Sequence, residues 1–389
     1  RRAGAKQTMR YYLIAGEASG DLHGSNLIRG LAAEDSRAEF RFRGGDLMIE
    51  AARESGAPCT LVRHYRDGAV MGLSEVLSKG FKLLGDLKRC EEDIIAWKPD
   101  VVVLIDYPGF NMKVAEFCHR KGLKVFYYIA PKTWASREGR NRQLKEWVDR
   151  LFIVFPFEVP YFSSRGIPFT YEGNPLVDAV DCHVYSRPVG GKYIAFLAGS
   201  RKAEISRMMP VLMRVADRLS SLDKYRDWKF IVAGAPSRSE NDYRPYIGER
   251  KNVRLVFGRT YDILKYAEAA VINSGTASLE AALIGTPQLV GWNTSALTWF
   301  AARHILHVQD HIKYISLGNL CLDKAVFKEF LQNDFNPDNV CTELRRILED
   351  GQYREKMEQG YTEIRNSLGG SGASRKVAAA MIKELKRQP

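Results

Sequence analysis

The chain has 389 residues, of which 45% are hydrophobic and 27% are charged, and this composition excludes a disordered or fibrous protein. The length exceeds the size at which one hydrophobic core usually stops growing, so we expect two domains. The formal net charge of +12 favours an anionic partner: nucleic acid, a phosphorylated metabolite or an acidic lipid surface.

Neither the cysteines nor the apolar runs indicate a secreted or membrane-spanning protein. The six cysteines lie far apart with no CxxC pair, which disfavours a disulfide scaffold and a structural zinc site. No apolar run approaches the ~18 residues of a membrane-spanning helix. The basic stretch Arg1–Thr8 has no hydrophobic segment before Met9, unlike a signal peptide. We expect a cytoplasmic protein that at most attaches to a membrane surface.

The first half of the chain alternates short apolar runs with amphipathic stretches, which is typical of parallel strands joined by helices. The predicted strands are Tyr11–Ala15, Val101–Ile105, Lys124–Ile129, Leu151–Val154 and Phe169–Glu172. The predicted helices are Gly20–Ala32, Asn111–Arg120 and Glu138–Trp147. This alternation predicts a doubly wound first domain over residues 9–178.

A second domain is predicted after a linker that ends at Pro188–Gly191. Its predicted strands are Tyr193–Leu197, Lys229–Ala233, Val253–Phe257, Ala269–Ile272 and Gln288–Trp292. We assign residues 190–368 to this domain, and beyond about residue 337 the pattern is helical only. A last helix, Ser374–Arg387 within residues 373–389, either returns to the first domain or is exchanged between subunits.

The loop after the first strand is a candidate ligand site, because open α/β sheets bind ligands beyond the carboxyl ends of their strands. It reads Gly-Glu-Ala-Ser-Gly-Asp, and Glu17 or Asp21, with Ser19 between them, could hold hydroxyl groups of a ligand. The spacing is not GxGxxG, so a dinucleotide is disfavoured. A tight turn with Ser19 as helix cap is the structural alternative.

Two loops of the second domain have the composition of phosphate sites. Gly199, Ser200 and Arg201 offer backbone amides, a hydroxyl and a guanidinium to a diphosphate. In the other loop, Ser274, Gly275 and Thr276 open a helix, and Glu280 lies one turn inside it, where a ribose could bind. An ordinary capping turn with a solvated glutamate is the alternative.

Asp106 ends a strongly apolar strand, where an ionised carboxylate is costly without a function or a partner. It is our candidate general base, and a structural cap or ion pair is the alternative. Asn111 is either a partner in this site or the cap of the next helix. Lys132 and Arg137 follow the next strand and could bind an anion, unless they belong to a solvated loop.

An amphipathic stretch around residues 70–84 has basic residues beside its apolar face. A helix packed in the core is one interpretation, and contact with an anionic membrane is the other. The residues predicted to contact the membrane are Val70, Met71, Leu73, Val76, Leu77, Phe81 and Leu84.

Several motifs are absent from the sequence. It contains no P-loop, no GxSxG, no HExxH and no DxD, and the last absence argues against a metal–diphosphate site. We therefore expect no metal and no cofactor.

Nine motifs, in order and spacing from about residue 9 to 385, resemble the lipid A disaccharide synthase family. They are Ala15–Asp21, Val70–Leu77, Ile105–Asn111, Ala130–Trp134, Phe155–Glu158, Tyr171–Pro175, Gly199–Arg201, Ser274–Glu280 and Ser316–Asn319. The resemblance implies the GT-B fold: two Rossmann-like domains facing across a cleft, here with a C-terminal helical strap.

The resemblance also implies a reaction. The family transfers 2,3-diacylglucosamine from UDP-2,3-diacylglucosamine to 2,3-diacylglucosamine 1-phosphate, and forms a β-1,6-linked disaccharide 1-phosphate and UDP. This reaction inverts the anomeric configuration and needs no metal. It takes place at the cytoplasmic face of the bacterial inner membrane, so we expect a phospholipid surface as partner, no nucleic acid, and a homodimer as one possible assembly.

By resemblance, Asp106 is the catalytic aspartate, and Arg201, Glu280 and Asn319 belong to the UDP site. Residues 70–84 correspond to the segment that contacts the membrane. The chain departs from the family at three positions: Gly109 replaces a second acidic residue of some members, and Ala198 and Gly318 replace prolines.

Two alternatives remain open at this point. Another UDP-hexosamine enzyme of the same architecture, such as a peptidoglycan-precursor transferase or a nonhydrolysing epimerase, would use the same phosphate loops. A non-catalytic protein that binds nucleic acid or lipid would also be basic, although no RNP-like motif or helix-turn-helix spacing supports the nucleic-acid version.

Overall fold

The structure is a computed structural model that describes residues 8–68, 76–135, 138–273, 275–295 and 313–387, with the backbone alone for residues 76–81. The chain divides into two compact units. Unit 1 comprises Arg1–Asp178 and Gly369–Pro389, and unit 2 comprises Ala179–Leu368. The predicted site residues Val70, Met71, Leu73, Arg137 and Ser274 lie outside the described residues, as do the side chains of Val76, Leu77 and Phe81.

Unit 1 contains a seven-stranded parallel sheet in the order β3-β2-β1-β4-β5-β6-β7. The strands are β1 Met9–Ala15, β2 Ala38–Gly44, β3 Cys59–His64, β4 Val101–Ile105, β5 Val125–Tyr128, β6 Arg150–Ile153 and β7 Phe169–Tyr171. All residues of β4 and β5 are buried, because helices cover both faces of such a sheet.

The helices of unit 1 follow its strands in alternation. They are α1 Ala18–Glu34, α2 Asp46–Glu54, α3 Val76–Trp97, α4 Pro108–Arg120, α5 Arg140–Trp147, α6 Glu158–Ser164 and α7 Pro175–Cys182, the last of which continues into unit 2. A 3-10 turn, Tyr65–Gly68, follows β3.

Unit 2 contains a six-stranded parallel sheet in the order β10-β9-β8-β11-β12-β13. The strands are β8 Tyr193–Leu197, β9 Lys229–Gly234, β10 Val253–Phe257, β11 Ala269–Asn273, β12 Gln288–Trp292 and β13 Glu329–Leu331. The helices, numbered over the described residues, are α8 Lys202–Ser220, α9 Arg244–Ile247, α10 Thr260–Tyr266, α11 Thr276–Ile284, α12 Leu317–Leu322, α13 Pro337–Glu349 and α14 Gly351–Ser367.

The last helix, α15 Ala373–Lys386, packs against α1 of unit 1. The carboxylate of Asp178 accepts hydrogen bonds from the amides of Gly372 and Ser374, at 2.5 and 3.1 Å, and so satisfies the exposed N–H groups where the helix begins. Arg375 Nε lies 2.8 Å from a carboxylate oxygen of Glu34 on α1. In this chain the helix therefore returns to unit 1.

The doubly wound α/β class predicted from the sequence is confirmed. Four predicted strands have the predicted bounds, namely β4, β8, β10 and β12. The prediction did not include β2, because its apolar residues alternate with the charged residues Arg41 and Arg43. In the structure these two charges are paired with Asp93 and Asp86. None of the helices within the described ranges has the length and apolar content needed to cross a membrane.

Candidate functional site

Each sheet has a point where the strand order reverses, and such switch points are where open α/β sheets bind ligands. In unit 1 the reversal lies between β1 and β4, and in unit 2 between β8 and β11. The loops that follow these four strands contain most of the residues predicted from the sequence.

Asp106 and Tyr107, directly after β4, both adopt the left-handed backbone conformation, with φ of 46° and 50°. Two consecutive non-glycine residues in this region are unusual, and strain of this kind concentrates at functional sites. The carbonyl of Asp106 accepts hydrogen bonds from Asn111 Nδ2 at 2.8 Å and from the Tyr127 hydroxyl at 2.7 Å. Helix α4 and strand β5 thus hold the loop in place.

The side chain of Asp106 lies in a mixed electrostatic environment. Burial raises the pKa of the carboxyl above its usual value, the positive charge of Lys132 lowers it and the negative charge of Glu17 raises it. A raised pKa makes the carboxylate a stronger base. This combination of position and environment suits the proton transfer predicted for Asp106.

Two polar residues predicted to contact substrate are turned into the protein. Asp21 is 3% exposed, and its carboxylate accepts hydrogen bonds from the amides of Gly45, Leu47 and Met48 where α2 begins. Asn111 is fully buried, and its amide group also donates to the carbonyls of β1 and β4. In this structure the side chains of Asp21 and Asn111 connect neighbouring loops and strands by hydrogen bonds.

The structure also shows that neither Ser19 nor Asn111 is a helix cap. Helix α1 begins at Ala18 with Glu17 at its N-cap, so Ser19 lies in the first turn and is not the cap. Similarly, α4 begins at Pro108 with Tyr107 at its N-cap, so Asn111 is not a cap. Glu17, Ser19 and Lys132 are exposed on unit 1.

In unit 2, a cavity of about 420 Å³ lies at the ends of β8 and β11, within the size range of small-molecule sites. Its lining includes Gly199, Ser200, Arg201, Gly275 and Thr276. Five residues predicted for the UDP site therefore come together here.

Glu204, which the sequence analysis did not single out, also lines this cavity. Its carboxylate accepts hydrogen bonds from the amides of Ser200 and Arg201, at 3.0 and 3.1 Å. The two amides predicted to bind a diphosphate are thus engaged by Glu204 in this structure. The Arg201 side chain is exposed and lines the cavity.

Glu280 points back along α11, as its spacing predicts. Its carboxylate interacts with the hydroxyls of Tyr261 and Thr276, and burial raises its pKa while these hydrogen bonds lower it. Burial and neighbouring carboxylates, among them Glu280, raise the pKa of Tyr185 to about 12. Glu280 and Thr276 therefore form one polar group at the start of α11.

Asn319, which the resemblance assigns to the UDP site, lies in the interior of unit 2. It is fully buried in α12, where its Nδ2 donates to the Phe327 carbonyl at 2.9 Å and to Glu329 at 3.0 Å. Its Oδ1 accepts a hydrogen bond from the amide of Val326 at 2.8 Å. In this structure Asn319 anchors the segment before β13 and does not line the cavity.

Glu158 is a buried carboxyl that the sequence analysis quoted in a motif without giving it a role. It is 1% exposed, and its Oε1 accepts a hydrogen bond from the amide of Phe155 at 3.1 Å. Burial raises its pKa to about 7, although the amides of Val154 and Phe155 and the charge of Lys132 oppose the shift. Its position at the first residue of α6, in the segment that follows the end of β6, is the signal that could have identified it.

A larger cavity of unit 2, of about 670 Å³, is lined by the end of α8 and by α13. It has no strand-end loop in its lining, so we do not assign it to the predicted site. Across the part of the chain that the structure describes, no group of three or more His, Cys, Asp or Glu residues is arranged to hold a metal ion.

Comparison with known sequences shows the family of this chain. A sequence model of the family described as Lipid-A-disaccharide synthetase matches residues 11–383. The chain belongs to this family. A lipid-A-disaccharide synthase of Geobacter sulfurreducens is 34% identical over 388 residues, which cover 97% of this chain and 98% of that protein. The lipid-A-disaccharide synthase of Myxococcus xanthus is 34% identical over 386 residues, which cover 97% of both.

Solved structures of other enzymes share the fold of this family member. The UDP-GlcNAc 2-epimerase of Neisseria meningitidis, bound to UDP-GlcNAc, matches with a TM-score of 0.71 over 96% of this chain and 100% of that one, at 14% identity. The calicheamicin glycosyltransferase CalG4 matches with a TM-score of 0.57 over 99% of this chain and 100% of that one, at 14% identity. The GT-B class with two Rossmann-like domains is thereby confirmed, and at this identity the likeness concerns the fold alone.

Proposed function

We propose that this chain is a UDP-sugar-dependent glycosyltransferase of lipid A synthesis. It transfers 2,3-diacylglucosamine from UDP-2,3-diacylglucosamine to 2,3-diacylglucosamine 1-phosphate, and yields the β-1,6-linked disaccharide 1-phosphate and UDP. The observation that carries this function is the family match over residues 11–383.

The cavity of unit 2 supplies groups suited to the UDP part of the donor. The exposed guanidinium of Arg201 and the N-terminal end of α11 at Thr276 can balance the charge that accumulates on the leaving diphosphate. Glu280, held by Tyr261 and Thr276, can accept hydrogen bonds from a ribose. The proposal assigns leaving-group stabilisation to these residues.

Asp106 of unit 1 is proposed as the general base. In an inverting displacement the acceptor hydroxyl attacks the anomeric carbon while UDP departs from the opposite face. The carboxylate of Asp106 accepts the hydroxyl proton as the new C–O bond forms, and the bonding electrons of the broken C–O bond leave with UDP. The raised pKa of Asp106 supports this assignment.

We also propose that the reaction proceeds without a metal ion, since Arg201 and the α11 N-terminus can supply the positive charge that a cation provides elsewhere. Incubation with EDTA tests this statement. We expect turnover to stay within about twofold of the untreated enzyme, and a loss that added Mg²⁺ restores would contradict it.

The decisive experiment is incubation of the purified chain with UDP-2,3-diacylglucosamine and 2,3-diacylglucosamine 1-phosphate. We expect UDP and a tetraacyl disaccharide 1-phosphate to appear in equal amounts. An epimerase would instead convert the donor alone, without consuming the acceptor. Mass spectrometry of the lipid product, together with a parallel reaction on UDP-GlcNAc, distinguishes the two activities.

We expect the reaction to take place at a membrane surface, because exposing the acyl chains of both substrates to water costs ~0.8 kcal/mol per CH₂. Leu83 and Leu84 on α3 are 39% and 55% exposed, with the basic residues Lys82 and Lys88 nearby. We propose that this part of α3 and the residues before it contact the cytoplasmic face of the inner membrane.

Changing Leu73, Val76, Leu77 and Leu84 together to Ser tests the membrane contact. We expect the variant to shift from sedimented vesicles to the supernatant. The matched control is Val184→Ser, which alters a side chain of unit 2 that is 88% exposed and should not change sedimentation. An unchanged distribution of the fourfold variant would contradict the proposal.

The homodimer stays a prediction. Light scattering, which measures the molar mass in solution, would test it.

A further inference from the structure

A third and smaller cavity lies at the switch point of unit 1. It has a volume of about 70 Å³, and its lining includes Gly16, Arg43, Arg63, His64, Tyr65 and Tyr107. We call it the arginine pocket. Its volume suits one compact polar group, because pockets that hold whole ligands measure about 300–1,000 Å³.

The charges around the arginine pocket do not balance. Arg43 and Arg63 both pair with Asp86, and Arg63 Nη1 lies 3.0 Å from its Oδ1. Arg89 lies 3.9 Å from the same atom. Arg89 is largely exposed and does not line the arginine pocket, whereas Asp86 does. Each guanidinium has five N–H donors, so one carboxylate between Arg43 and Arg63 leaves one positive charge and several donors in excess.

Arg43 is the most buried of these three arginines. It is only 6% exposed, and its guanidinium lies 5.4 Å from the centre of the Phe110 ring. A buried cation is costly unless its charge is well compensated. A bound anion would complete that compensation, and bidentate binding to guanidinium groups is the usual mode of phosphate recognition.

The arginine pocket adjoins the loop that contains the proposed base. Tyr107 lines the pocket and directly follows Asp106. An ideal Cβ at Gly16 would lie 2.3 Å from Cδ1 of Tyr107, so glycine is needed for the backbone to approach this ring. An anion bound here would therefore sit beside the rigid loop that holds Asp106.

We propose that the arginine pocket binds the 1-phosphate of the acceptor sugar. This inference rests on the proposed function. In the proposed reaction the acceptor carries one phosphate monoester, and the donor carries a diphosphate. Holding the acceptor by this group places it against the loop of Asp106, and such positioning lowers the entropic cost of reaction. Arg43 and Arg63 are then binding residues that select phosphorylated acceptors.

The test compares two acceptors that differ only in the 1-phosphate, both presented in micelles of a neutral detergent. The main variant is Arg63→Gln, because Arg63 is partly exposed and its loss disturbs the core least. Arg43→Lys keeps the charge but loses the planar fork. The matched control is Arg120→Gln, which removes an equal charge from an exposed position at the end of α4.

For Arg63→Gln we expect kcat/KM with the phosphorylated acceptor to fall by about 10- to 100-fold, the range for a lost charged hydrogen bond. Arg43→Lys should lower it in the same direction. The rate with the unphosphorylated acceptor, UDP affinity measured by calorimetry, and all values for Arg120→Gln should equal those of the unmodified chain.

Three results separate the explanations. Equal losses with both acceptors would make the arginines structural and would overturn the inference. Weaker binding to phosphatidylglycerol vesicles, with acceptor discrimination intact, would assign the arginine pocket to lipid headgroups and would also overturn it. If the unmodified chain transfers the sugar to neither acceptor, the proposed function fails, and calorimetry with glucosamine 1-phosphate then tests phosphate binding in the arginine pocket by itself. Binding to the unmodified chain that is lost in Arg63→Gln supports the inference. No binding to the unmodified chain overturns it.

Discussion

The two switch points have the same topology but are filled in different ways. In unit 1 the glycine after the first strand, Gly16, lies against the ring of Tyr107, which follows β4. In unit 2 the corresponding glycine, Gly199, lies against Asn273 at the end of β11 and against Glu204. In unit 1 an aromatic ring packs on the glycine and leaves only the arginine pocket of about 70 Å³, whereas in unit 2 polar groups surround the glycine beside a cavity of about 420 Å³.

The backbone conformations differ in a related way. At the switch point of unit 1 the residues in the left-handed region are Asp106 and Tyr107, whereas at the switch point of unit 2 the residue with positive φ after β8 is Gly199, with φ of 100°. A non-glycine residue in this region costs about 1–3 kcal/mol, which the surrounding structure must offset. Unit 1 therefore fixes one reactive side chain in a loop held by hydrogen bonds, while unit 2 leaves room for a large ligand.

The strongest test of this division is Asp106→Asn. Asparagine tolerates the left-handed conformation, so the loop should keep its shape while the base is lost. We expect turnover to fall by about 10²- to 10⁴-fold, the range for a general base. UDP affinity, measured by calorimetry, should not change, because the UDP groups belong to unit 2. Near-normal turnover would show that Asp106 is not the base.

The complementary change is Arg201→Gln in unit 2. Removing one preorganised donor to a developing charge typically costs about 3 kcal/mol, so we expect kcat/KM for the donor to fall by about 10²-fold. UDP affinity should fall as well, in contrast to the Asp106 variant.

The matched control for that variant is Arg254→Gln, which removes an equal charge from an exposed position on β10 and should leave both quantities unchanged. If kcat/KM for the donor were unchanged in Arg201→Gln, Arg201 would not be the cation that binds the diphosphate, which would contradict the assignment of this cavity to UDP.

The buried Glu158 predicts a pH-dependent stability in unit 1. Its pKa in the folded protein is about 7, above the ordinary value of 4.5, so the folded chain binds this proton more tightly than the unfolded chain. The contribution of this bound proton to the free energy of unfolding is fully present below pH 4.5 and is lost as the pH rises through 7. We expect this group to lower the free energy of unfolding by about 3 kcal/mol between pH 4.5 and 8.

Urea unfolding at several pH values measures this effect. Glu158→Gln, which stays neutral, should remove that part of the pH dependence, whereas Glu146→Gln, at an exposed position of α5, should not. Identical pH dependence in the Glu158 variant and the unmodified chain would show that Glu158 does not titrate in this range.

The smallest expected effect concerns the charge of Lys132. This charge lowers the pKa of Asp106, so Lys132→Gln should raise that pKa further. Because the base acts only when ionised, the acidic limb of the pH profile of kcat/KM should move to higher pH. Lys121→Gln, an exposed change at the end of α4, should leave the profile in place. An unmoved limb in the Lys132 variant would show that its charge does not reach Asp106.

Much of the fold could be predicted because parallel strands are short, continuous and apolar. β4, with five buried aliphatic residues, has no competing interpretation, and the same holds for β8 and β12. β3 and β13 are less distinct, since their residues are only partly buried and an edge strand needs no continuous apolar run.

The sequence by itself determined which loops follow the strands, and therefore that Asp106, Arg201 and Glu280 lie at strand ends where ligands bind. Only the tertiary structure decided which of the polar residues face inwards, as Asp21 and Asn319 do. It also decided that Glu204 occupies the amides of Ser200 and Arg201.

The arginine pocket shows the same limit most clearly. Arg43 on β2 and Arg63 on β3 meet at Asp86 of α3, although none of the three belongs to a recognisable motif. Spacing along the chain fixes where a residue lies on its own helix or strand. Its hydrogen-bond partners come from neighbouring strands and helices that are distant in sequence, so only folding brings them together.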